Sequence, residues 1–168
     1  MLLAGAMMLA TVLVGSTTAQ AATTADAAPA FANAFAPIRN VETGLCIQPR
    51  FNTESELVQV GCDQNNLAQR WIFVPNRNGN HIVNQLAGLC VYMNGPVSSG
   101  SPVIQTGCTD VTNEDWKNAA PPAVTTIMSR ASRRDTNLCL APESLAPGAL
   151  LRIFQCNSSN VQKWVIGV

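Results

Sequence analysis

Gly44-Leu45-Cys46-Ile47, then Val58-Gln59-Val60-Gly61-Cys62, then Gln69-Arg70-Trp71-Ile72-Phe73 make one phrase that the chain writes three times. The second copy reads Gly88-Leu89-Cys90-Val91, Val103-Ile104-Gln105-Thr106-Gly107-Cys108 and Glu114-Asp115-Trp116. The third reads Asn137-Leu138-Cys139-Leu140, Leu150-Leu151-Arg152-Ile153-Phe154-Gln155-Cys156 and Gln162-Lys163-Trp164-Val165-Ile166. The tryptophans stand 45 and 48 residues apart, each eight or nine after its second cysteine. A fixed period of that size marks units that share one core. Each unit offers about four short apolar runs bounded by Gly, Pro, Asn or Ser; in the first they are Ile38–Val41, Leu45–Ile47, Leu57–Val60 and Trp71–Val74. Short bounded runs of this kind are strands rather than helices. Three units of four predict twelve strands in an all-β body that closes on itself and so leaves no strand edge exposed.

The cysteines keep the same rhythm. Their intervals within units are 16, 18 and 17 residues, and no CxxC occurs, so zinc and redox motifs have no support. Of the fifteen connectivities open to six cysteines, the repeat selects Cys46–Cys62, Cys90–Cys108 and Cys139–Cys156. Each such loop is worth roughly 3 kcal/mol on the chain-entropy model, and only in an oxidising compartment. Met1–Val14 is nearly all apolar and Ala19-Gln20-Ala21 has the small-x-small pattern of a signal peptidase site. We therefore expect a secretory signal over 1–21, an Ala/Thr/Pro-rich linker over 22–37, a domain over 38–168 and an extracellular protein. The apolar leader is shorter than the roughly 20 residues that span a bilayer, so no stable membrane insertion is expected.

Composition closes several other routes. Ten basic and ten acidic residues give no net charge, and nucleic-acid binding needs a basic stripe against phosphates. A single histidine, His81, excludes any mechanism with two imidazoles. The carboxylates Glu54, Glu56, Asp63, Asp110, Glu114, Asp115 and Asp135 show no acid/base pairing of the kind a glycosidase requires. His81 reads as a surface residue at the start of a strand, and Asp110, Glu114 and Asp115 as an exposed turn. Ser98-Ser99-Gly100-Ser101 is a turn without the strand-turn-helix setting of a nucleophile elbow. No catalysis, cofactor or metal is expected.

The thrice-repeated Cys…Cys…Gln-x-Trp pattern resembles the ricin B-type lectin family over residues 38–168. That resemblance implies a β-trefoil of three pseudo-symmetric four-strand units and a carbohydrate partner. It places Trp71, Trp116 and Trp164 in the shared core and has Gln69 and Gln162 bond backbone locally, with Glu114 substituting in unit two. Galactose-binding members carry an Asp two residues after the first cysteine, an aromatic two before the second, and an Asn before Gln-x-Trp. Here those places hold Gln48, Tyr92 and Ala141, then Val60, Thr106 and Phe154, with the Asn present as Asn113. The galactose pocket therefore does not carry over intact. The candidate sugar contacts are Phe154, Gln162 and Glu143 in unit three, and Tyr92, Asn94 and Asn113 in unit two. Unit one offers Gln48 beside Asn65 and Asn66, with Phe51 as its aromatic. The run from Cys62 to Trp71 is also similar to the cell-binding A subunit of cytolethal distending toxins, which implies an alternative: a trefoil that docks a partner protein chain or delivers a toxin.

Overall fold

The computed structural model describes residues 34–119 and 123–167, so the expected signal and most of the expected linker lie outside the described residues. Unit one comprises β1 (Ala36–Asn40), β2 (Cys46–Pro49), β3 (Ser55–Val60) and β4 (Arg70–Asn76). Unit two comprises β5 (Gly79–Asn84), β6 (Cys90–Met93), β7 (Val103–Thr106) and β8 (Trp116–Lys117). Unit three comprises β9 (Ala123–Thr126), β10 (Met128–Ser129), β11 (Leu138–Pro142), β12 (Leu151–Gln155) and β13 (Lys163–Ile166).

Two details differ from the expectation. The described residues form thirteen strands, because the chain breaks at the buried Ile127: β9 pairs with β13, while β10 turns to β8 and β11. Strand pairing also begins two residues before Ile38, where Ala36 and Pro37 pair with Trp71 and Arg70. The pairings β1–β4, β4–β5, β5–β8, β8–β10, β9–β13 and β13–β1 close a ring. The hairpins β2–β3, β6–β7 and β11–β12 form its cap. They meet where Glu56 pairs with Ile104, Pro102 with Arg152 and Leu150 with Val58. The fold is a β-trefoil.

One tryptophan per unit fills the centre. Trp71, Trp116 and Trp164 are wholly buried, and their indole N–H groups donate to the carbonyls of Ile47, Val91 and Leu140 at 3.1, 2.9 and 3.0 Å. A buried tryptophan needs such a partner for its polar edge. The disulfides Cys46–Cys62, Cys90–Cys108 and Cys139–Cys156 clamp each hairpin outside this core.

Buried amides tie the hairpins together. Gln59 Nε2 donates to the Ser144 and Ala146 carbonyls of the unit-three loop, and Gln105 Nε2 to the Phe51 and Thr53 carbonyls of the unit-one loop. The third such position is Ile153, where backbone does the same work: its carbonyl accepts from the Gly100 N–H of the unit-two loop and its N–H donates to the Ser101 carbonyl. Each loop is thus held against the next unit, which fixes the surface the hairpins present.

Candidate functional site

Register decides which candidate residues can act together. Gln48 pairs with Val58, Tyr92 with Ile104 and Ala141 with Arg152; Cys46 pairs with Val60, Cys90 with Thr106 and Cys139 with Phe154. Residues two apart on a strand share a face, so each hairpin carries these four positions on one face.

In unit three this group is Ala141, Arg152, Phe154 and Cys139, with Ala141 and Cys139 buried. Phe154 is half-buried, leaving part of its ring exposed. Arg152, which sequence reading missed, supplies the polar side: its Nε donates to Glu143 Oε2 at 2.7 Å and its Nη1 to the Gly100 carbonyl at 3.2 Å. The signal that could have found it is the alternation that puts 152 and 154 on one face. β11 ends at Pro142, yet the Glu143 N–H still donates to the Leu150 carbonyl, so the exposed Glu143 carboxylate stays beside the strand. Gln162 bonds backbone locally, as the resemblance implies, rather than standing free as a sugar contact. It is buried, its Oε1 accepts from Asn157 N–H and its Nε2 donates to the Gln155 carbonyl, both at 2.8 Å. Its amide braces the turn after the second cysteine.

In unit two Tyr92 is half-buried and Asn94 exposed. Asn94 lies in the row that runs through Pro102 to Arg152, toward unit three rather than around Tyr92. Asn113 Nδ2 donates to the Met93 carbonyl at 2.9 Å, a structural use that sequence alone did not predict. Thr106 is met by Glu54 from the unit-one loop, whose carboxyl is held below the usual range first by the Thr106 hydroxyl and then by the Gly107 N–H. In unit one Gln48 Oε1 accepts from Asn66 Nδ2 and Gln69 Nε2, both at 3.0 Å, so its acceptor is committed internally. Asn65 is exposed, and Phe51, 63% exposed, has the Arg50 guanidinium 5.9 Å from its ring centroid.

The acidic turn of unit two differs from the expectation. Glu114 and Asp115 are buried rather than exposed, and His81 is largely covered, its side chain 13% accessible. The cause is the pairing of Asn80 with Trp116, which sets His81 beneath the 3₁₀ turn Thr112–Glu114. Glu114 takes the place of Gln69 and Gln162 and accepts from Thr109 N–H, Thr109 Oγ1 and Asp110 N–H. Asp115 accepts from Asn76 Nδ2. Three carboxylate oxygens lie 3.6–3.9 Å from His81 Nε2. His81, Cys90 and Glu114 also come within 4.8 Å of one another, but the Cys90 sulfur is committed to Cys108 and offers no thiolate.

Two adjoining grooves of about 230 and 240 Å³ run from Phe35 past Pro37, Asp63 and Gln64 to the Cys46–Cys62 bridge. None of the candidate sugar contacts lines them.

Residues 78–168, more than half of the chain, match the model of the ricin-type beta-trefoil lectin domain. The chain belongs to that family. No curated protein sequence matches it. Among solved structures, the ricin B-type chain resembles ThreeFoil, a designed three-fold symmetric protein, at 15% identity and a TM-score of 0.70, covering 80% of this chain and 98% of that one. It also resembles the Macrolepiota procera ricin B-like lectin in complex with lactose, at 15% identity and 0.66, over 79% and 94% of the two chains. The exo-beta-1,3-galactanase 1,3Gal43A from Clostridium thermocellum is similar at 20% identity and 0.70, but this lectin domain spans 30% of that chain. At these identities the structural likeness establishes the fold alone.

Proposed function

We propose that the protein is a secreted, non-catalytic lectin that holds glycans or polysaccharide weakly, chiefly through unit three. The observation that carries this reading is Phe154, an aromatic ring on β12 two residues from Arg152, with Arg152 Nε 2.7 Å from Glu143 Oε2. A pyranose needs an aromatic face for its C–H surface and polar groups for its vicinal hydroxyls. The ring supplies the first. The ion pair supplies both a donor and an acceptor, replacing the carboxylate missing at Ala141.

A shallow site of this kind binds in the region of 1 mM, about −4 kcal/mol, so retention depends on several contacts along one polymer or a glycan-rich surface. Family membership and the lactose complex of the Macrolepiota procera lectin support a carbohydrate partner. Three disulfides support an oxidising, extracellular destination.

The test is to screen the oxidised chain on a glycan array and on insoluble polysaccharides, beside Phe154→Ala. Binding competed by free sugar and abolished by Phe154→Ala is the expected result. Binding unchanged by Phe154→Ala moves the site away from unit three. A folded protein that binds no glycan sinks the lectin reading.

A further inference from the structure

Unit two departs from its neighbours at one place on the ring. The pairings Ala36–Trp71, Asn80–Trp116 and Thr125–Trp164 make Pro37, His81 and Thr126 equivalent, each one residue past the tryptophan's partner. Two residues past the second cysteine of each unit stand Gln64, Asp110 and Ser158. Just before the tryptophans come Gln69-Arg70, Glu114-Asp115 and Gln162-Lys163. In unit one Pro37, Gln64 and Arg70 line an open groove. Only in unit two do all four positions carry metal-ligating side chains, an imidazole and three carboxylates.

The three carboxylates converge on the imidazole. His81 Nε2 lies 3.6 Å from Asp115 Oδ1, 3.7 Å from Asp110 Oδ1 and 3.9 Å from Glu114 Oε2. These separations are too long for hydrogen bonds, and Nε2, itself buried, has no hydrogen-bond partner among the described residues. They suit donors that share a cation: the ligands of a tetrahedral zinc, each about 2.1 Å from it, stand roughly 3.4 Å apart. Charge balance calls for the same ion. The Glu114 and Asp115 side chains are 0% and 3% accessible, and among the described residues the imidazole is their sole ion-pair partner. Buried carboxylates are otherwise paired with cations or bound to metals. Outer bonds hold both in place: Glu114 Oε2 accepts from the Thr109 and Asp110 N–H groups, each at 3.0 Å, and Asp115 Oδ1 from Asn76 Nδ2. Asp110, exposed at the rim, gives an ion its way in.

We infer that His81, Asp110, Glu114 and Asp115 bind one divalent transition-metal ion, with zinc the best match to one imidazole and three carboxylates. The ion neutralises the buried carboxylates and ties the turn over 109–115 to β5. None of the four residues is a candidate sugar contact, so the site stands or falls independently of the carbohydrate reading. It also reverses the expectation, drawn from the sequence, that the chain holds no metal.

His81 is the chain's single histidine, so its ring signals report the site without overlap. The untagged, disulfide-bonded full chain, stripped with EDTA, is titrated with Zn²⁺ by calorimetry and by ¹H–¹⁵N NMR of the imidazole. One Zn²⁺ per chain is expected, with the His81 ring signals displaced in step with the heat. Glu114→Gln, which installs the residue that units one and three carry there, and Asp110→Asn, at the exposed rim, keep the fold and weaken binding by about tenfold or more. His81→Gln abolishes it. Zn²⁺ raises the Tm of the unaltered chain, EDTA reverses the rise, and Glu114→Gln reduces it. Zinc binding that leaves the His81 ring signals in place, or that Glu114→Gln leaves at full strength, overturns the inference. So does a folded chain that takes up no zinc, in which His81 is then only the ion-pair partner of its carboxylates.

Discussion

Ala87→Thr is expected to stabilise the protein, and the structure supplies the magnitude. The Gln105 side chain is wholly buried, and its Nε2 serves the Phe51 and Thr53 carbonyls, yet among the described residues its Oε1 has no partner. Its counterpart Gln59 makes the same two donations, but its Oε1 accepts from Thr43 Oγ1 at 2.9 Å. Thr43, Ala87 and Thr136 are equivalent, each three residues before the first cysteine of its unit. In unit three Ile153 offers no acceptor, and Thr136 Oγ1 turns to the Ser129 carbonyl instead. A hydroxyl introduced at position 87 meets the orphaned Gln105 oxygen and accepts from the Leu89 N–H, as Thr43 does from Leu45. Relieving a buried unpaired acceptor recovers roughly 1–2 kcal/mol. For a domain of this size that raises Tm by about 3–8 °C. Differential scanning calorimetry of the oxidised chain measures it, with Thr43→Ala expected to lower Tm by a similar amount. If Ala87→Thr is silent while Thr43→Ala destabilises, the equivalence of the two positions fails. If both are silent, water already satisfies these oxygens and the reasoning is wrong.

Three further outcomes follow from named contacts. Gly79→Ala sets a Cβ 2.5 Å from the Trp116 carbonyl oxygen; forcing the strands apart there costs about 1–3 kcal/mol, read as a lower urea midpoint at constant m. The Asp135 carboxyl is held below its usual range, first by its hydrogen bond from Lys117 and less by the charges of Lys117 and Arg130. A depressed folded-state value means its contribution is complete above the unfolded value near 3.9 and is lost as pH falls through the lower folded one. Lys117→Met should therefore flatten the dependence of Tm on pH below about pH 4, and an unchanged acid limb would refute the pairing. Replacing Cys139 and Cys156 together by Ser opens a loop with a sequence separation of 17 and should cost about 3 kcal/mol, measured by denaturant unfolding against the intact chain.

Much of this molecule is written in its local order. Cysteine spacing, the tryptophan period and the Gly/Pro/Asn punctuation determine three units, three bridges and an all-β body, because these signals act within one unit and repeat in phase. The reading of Trp71, Trp116 and Trp164 as core comes from the family resemblance those repeats carry, and each is indeed wholly buried. What the sequence does not display is how a residue's neighbours across a seam spend its polar atoms. Gln162 has the right place and chemistry for a sugar, but its amide braces the turn at Asn157 and Gln155. His81, Glu114 and Asp115 have the composition of a solvated turn, yet the β5–β8 pairing buries the two carboxylates and covers most of the imidazole. Arg152 and Glu54 gain their meaning only from register, one as the cross-strand partner of Ala141, the other as a carboxylate laid on Thr106 from another unit. Periodicity along a chain determines which elements form. Which side chains converge depends on hydrogen-bonded pairing between segments some fifty residues apart, and that is decided only when the ring closes.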